Sequence, residues 1–160
     1  MQTPEPMIPS RQHDERYDER PTPRPAVHGY WGERLAWVSG LLLAVSAFTD
    51  WYAGSSADGL TLSVTGWHTG ALGKLVFFCG LAALILEALR EAGIELPATV
   101  PESLVLIALG SLATIFVLIR VISIPDTFFD TAGRGIGIFI SLVAALALIA
   151  SGLLRAAEEL

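Results

Sequence analysis

Three charged residues stand where charge is costly. Asp50, Lys74 and Arg120 each lie about one turn inside the end of a different long apolar stretch. If neighbouring stretches run antiparallel, the three reach a similar depth with one negative and two positive charges, and an unpaired carboxylate there would cost several kcal/mol. The spacing therefore predicts that Asp50 pairs with Arg120 or Lys74. The alternative is that each side chain snorkels separately to the polar boundary.

A second pair, Glu87 and Arg90, is three residues apart near the opposite end of the second stretch. That spacing puts them on one helix face, where they can pair while snorkelling to the interface. A transporter driven by a central carboxylate would require an acid near the middle of a span, and the apolar stretches hold none there.

Other chemistry finds little support. Cys79 is the single cysteine, which allows neither an internal disulfide nor a thiolate metal cage, and its apolar neighbours Val76, Phe77, Phe78 and Leu81 suit a small buried hydrophobe. His13, His28 and His68 are far apart and show no metal-binding spacing. No nucleophile has an evident base, and no paired thiols or haem-ligating histidines occur. We expect no enzyme activity, no cofactor and no metal.

These residues are positioned by elements that composition identifies. The chain has 160 residues, 52% hydrophobic and only 16% charged, with a mean hydropathy of +0.56; soluble domains carry about 25% charge. Of the 26 charged residues, 11 fall in the first 34 positions, leaving apolar runs too long to hide in one another. A net charge of -6 and a single Lys exclude a phosphate-neutralising patch, so no nucleic-acid partner is expected.

Residues 1–30 hold six of the nine prolines and a mixed-charge run from Arg11 to Arg20. Such a segment cannot bury enough surface to offset its ordering entropy, and reads as a disordered cytoplasmic tail. Residues 31–160 read as an all-α membrane domain, an antiparallel bundle of four transmembrane helices over about 35–53, 71–90, 103–124 and 135–154, each long enough to cross a ~30 Å hydrocarbon layer. Breakers separate them: Gly54 to Ser56, Gly93 with Pro97 and Pro101, and Pro125.

Seven basic residues (Arg11, Arg16, Arg20, Arg24, Arg34, Arg90, Arg155) fall on the tail side and three (Lys74, Arg120, Arg134) on the other, which places both termini in the cytoplasm. Tyr30, Trp31 and Trp37 mark the inner boundary of the first helix. Small residues at spacings of four (Ala36, Gly40, Ala44; Gly110, Thr114; Gly133, Gly137, Ser141) permit close helix approach, within the chain or, alternatively, across a homodimer seam.

The first outer loop alternates apolar and small polar residues from Leu60 to Trp67 after the turn signal Asp58-Gly59. It predicts a short extended segment or hairpin as an outer cap, with Trp51, Tyr52 and Trp67 clustered beneath it. The pattern Asp50-Trp51-Tyr52, a Gly/Ser loop, then Thr65-Gly66-Trp67, together with the Ala-, Gly- and Arg-rich composition, resembles uncharacterised small four-span membrane proteins of high-GC actinobacteria. That resemblance implies a bacterial cytoplasmic (inner) membrane address and no assigned activity. The lipid bilayer is the expected partner, with the chain itself or another membrane protein as a further one. The expected function is interaction, as a homo-oligomer or a subunit of an envelope complex; a small transporter or channel subunit is the alternative.

Overall fold

The computed structural model describes residues 27–55, 61–94, 97, 100–123 and 132–159. The expected tail up to residue 26, the Asp58-Gly59 turn and Pro125 lie outside the described residues. Four helices form the body: α1 (Val27–Ser46), α2 (Ala71–Glu91), α3 (Glu102–Ile122) and α4 (Ile136–Glu159). Among the described residues three short strands, β1 (Asp50–Ser55), β2 (Thr61–Thr65) and β3 (Ala132–Arg134), and a 3₁₀ turn (Gly66–Thr69) gather at one end.

Apolar length makes α2, α3 and α4 capable of crossing a membrane. The first helix is different. It starts within the expected tail, at Val27, and carries Glu33 and Arg34 in its first half, so its apolar part begins only at Leu35. By length and composition the expected four spans are therefore three, preceded by a less apolar helix.

Local signals explain several ends. Helix α2 stops in a Schellman motif: Ile94 N–H donates to the Leu89 carbonyl (2.9 Å), Gly93 N–H to the Arg90 carbonyl (2.9 Å), and Gly93 takes the positive φ of 75° that this cap needs. Helix α3 follows Pro101, with Glu102 in its first turn and Arg120 in its last, both favourable to the helix dipole.

Neighbouring helices run antiparallel and close into a ring, α1 to α2 to α3 to α4 and back to α1. On α1 and α2 the seam runs from Trp37 beside Glu91 to Ala44 beside Gly80, where an added Cβ on Gly80 would sit 2.6 Å from the Ala44 nitrogen. A β-carbon on Gly110 of α3 would lie 2.9 Å from the Ile149 nitrogen of α4. Between α1 and α4, Ser141 Oγ donates to Ser46 Oγ at 2.8 Å. The small-residue stripes thus serve packing within the chain, and Leu43, Val76, Ala83, Leu106, Val117, Ile138 and Leu148 fill the buried core.

The extended cap is present and larger than a hairpin. The sheet order is β2-β1-β3, both pairings antiparallel, with Tyr52 opposite Val64 on one side and Arg134 on the other. The first helix, expected to reach residue 53, ends at Ser46, and Asp50, Trp51 and Tyr52 belong to β1. Backbone bonding to two distant strands replaces helical bonding there, and neither partner is visible in the local pattern.

Candidate functional site

The end of the bundle away from the sheet holds a buried ionic network. Glu87, on the inward face of α2, is fully buried, and Arg155 on α4 is only 5% exposed. Arg155 Nη2 lies 2.6 Å from Glu87 Oε2. A second carboxylate, Glu102 at the start of α3, stands 3.9 Å from Arg155 Nη1 and 3.6 Å from Arg90 Nε. Two acids and two bases thereby join three helices, and the Glu87–Arg155 bond crosses the ring diagonally.

The expected partnership of Glu87 with Arg90 is corrected here. Arg90 points to Glu102 and is partly exposed, while Glu87 turns inward to Arg155. Nor does Glu87 snorkel, since its side chain has no solvent exposure. Arg155 carried a clue that sequence reading did not use: alternate helices of an antiparallel ring run parallel, and Glu87 and Arg155 each lie four residues from the C-terminal end of α2 and α4, so the two share one depth. Glu87 Oε1 and Arg155 Nε and Nη1 have no hydrogen-bond partner among the described residues, so the network is only partly satisfied.

At the sheet end, the expected cluster of Asp50, Lys74 and Arg120 does not form an ion pair among the described residues. Asp50 is exposed on β1. Lys74 Nζ lies 5.5 Å from the centre of the Trp67 ring. Arg120 is half-buried, its Nη2 close above Gly70, where a β-carbon would approach to 2.9 Å. Its sheet contact is with Tyr52, whose hydroxyl donates to the Arg120 carbonyl at 2.7 Å.

The aromatic cap divides in two. Trp51 and Tyr52 are both buried although adjacent residues of a regular strand face opposite sides; a register irregularity between Asp50 and Tyr52 breaks the alternation, as a β-bulge does. Trp51 packs over Gly66, where a β-carbon would meet its indole at 2.5 Å, and its Nε1 donates to the Ser46 carbonyl at 2.8 Å, closing the end of α1. Trp67 instead stacks on Phe48 at 5.4 Å and meets Phe77 edge-on at 5.5 Å.

Several hydroxyls within the helices are turned onto their own backbones: Ser39 to Ala36, Ser151 to Leu148, Thr114 to Gly110. His68 Nδ1 is 2.9 Å from Thr65 Oγ1. Among the described residues no cluster of His, Cys, Asp and Glu could hold a metal. The chain has no match among family models, curated proteins or solved structures.

Proposed function

We propose that this is a four-span integral membrane protein of a bacterial inner membrane, with both termini cytoplasmic, and that it acts by binding other proteins, as a homo-oligomer or a subunit of an envelope complex. Helix α1 is the span that composition leaves open. It runs antiparallel to α2 from Trp37 to Ala44, and its outward residues Val38, Leu41, Leu42 and Val45 are apolar and exposed, as a lipid-facing surface requires. A helix so registered shares the depth of a neighbour able to cross. The seven-to-three basic bias supports the orientation, and the actinobacterial resemblance supports the address.

One observation carries the interaction role. The small-residue seams and the charged network are consumed inside the chain, whereas the sheet ends in two edge strands, β2 and β3. Edge strands offer unpaired backbone groups to a partner strand. Reporter fusions at residues 15 and 160 should read inside and at residue 58 outside. A photo-crosslinking residue at Ser63, exposed on β2, should give a discrete adduct in membranes, and one at Val143 on the helix surface should not. Absence of any Ser63 adduct, with the chain monomeric in mild detergent, would reject the interaction role.

A small transporter or channel subunit is the second reading, favoured by the full burial of Glu87 with one oxygen unpartnered among the described residues. Ion flux into reconstituted vesicles that Glu87→Gln abolishes would select it.

A further inference from the structure

Arg34, Trp37 and Val38 of α1 and Glu91 of α2 line one shallow cavity of about 390 Å³, open along its face, at the end of the bundle that carries Glu87. Two opposite charges face this cavity without pairing with each other. Each is held from behind. The Arg34 guanidinium lies over the Tyr30 ring, 4.4 Å from its centre, and the N–H groups on its rim have no partner among the described residues. Glu91 Oε1 accepts from Trp37 Nε1 at 3.1 Å, and Oε2 has no partner among the described residues. Val38 opens the cavity onto the apolar stripe Leu41, Leu42 and Val45, all exposed.

We infer that this cavity binds the headgroup of a phospholipid carrying a primary amine, a phosphoethanolamine. The phosphate lies on Arg34, the ammonium on Glu91 Oε2, and an acyl chain runs down the stripe below Val38. A guanidinium alone would favour an anionic headgroup; the carboxylate across the cavity repels a second negative charge and rewards a positive one. The ammonium must also donate hydrogen bonds, which a quaternary trimethylammonium cannot do. Trp37 sits where an amphipathic ring marks a membrane boundary, so cavity and headgroup share a level. The inference rests on the proposed spanning disposition of α1.

The full chain in mild detergent, given an equimolar mixture of phosphatidylethanolamine, phosphatidylcholine and phosphatidylglycerol, should retain the first over the second by about tenfold in native mass spectra, the ratio one charge-assisted bond supplies. Glu91→Gln should bring that ratio near one, and Arg34→Gln should weaken retention of all three, with helicity unchanged in both variants. Phosphatidylglycerol retained above phosphatidylethanolamine, or an unaltered ratio in Glu91→Gln, would overturn the site. In parallel, Leu41→Cys in a Cys79→Ser background should resist a water-soluble maleimide in membrane vesicles. Labelling there would overturn the disposition of α1 and the site with it; protection without lipid preference would overturn the site alone.

Discussion

Tyr52 and Arg134 stand directly opposite one another in the sheet, and each closes a carbonyl at the C-terminus of the same helix. The Tyr52 hydroxyl donates to Arg120 at 2.7 Å, and Arg134 Nε donates to Val121 at 2.7 Å. The last carbonyls of a helix have no partner within it, so one cross-strand pair docks the sheet onto α3. The Arg134 charge also suits the negative end of the helix dipole.

Tyr52→Phe should therefore cost about 1 kcal/mol at neutral pH, the worth of one buried hydrogen bond. The pH dependence is more diagnostic. Burial raises the Tyr52 phenol above its ordinary value, with Arg120 and Arg134 partly offsetting this. The unfolded chain then loses this proton first, so the stability linked to it is complete below about pH 10 and declines as pH rises through the folded value. Thermal unfolding in detergent should show that alkaline decline in the native chain and a shallower one in Tyr52→Phe.

Breaking the Glu87–Arg155 bond from one side should be severe, because the remaining charge stays buried. Arg155→Met or Glu87→Leu alone is expected to cost about 3–5 kcal/mol, while the double variant should recover much of that loss. The folded fraction of all four chains in a denaturing detergent titration measures the coupling. Arg90→Gln, at an exposed position, should change stability by under about 1 kcal/mol.

Asp50→Asn and Arg120→Gln should act independently. With Asp50 exposed and not paired to Arg120, the double variant is expected to equal the sum of the singles within about 0.5 kcal/mol. A larger coupling in the same titration would restore the ion pair that the sequence suggests.

At Gly80 the backbones of α1 and α2 approach too closely for a side chain. Gly80→Val should separate them and destabilise by about 1–3 kcal/mol, as overpacking does. Gly93→Ala meets nothing within 4 Å and loses only the ease of its positive φ, about 1 kcal/mol. Melting temperatures should fall in that order.

Apolar length and chain breakers are local quantities, and what depended on them was legible in the sequence. The α2, α3 and α4 spans, the stop at Gly93, the start after Pro101 and the extended segment before Trp67 all follow from neighbours a few residues away. The small-residue stripes likewise announced close packing, although not which helix would fill each. The end of α1 was different: Asp50-Trp51-Tyr52 continues an apolar run and reads as helix until β2 and β3 supply a ladder, with Tyr52 paired to Val64, 12 residues further on, and to Arg134, 82 residues further on. Glu87 illustrates the same limit for the site. Its near neighbour Arg90 offered a partner at helical spacing, yet α4 brought Arg155 across the bundle from 68 positions away. A buried carboxylate takes the cation that shares its desolvated depth, and depth is a property of the assembled helices.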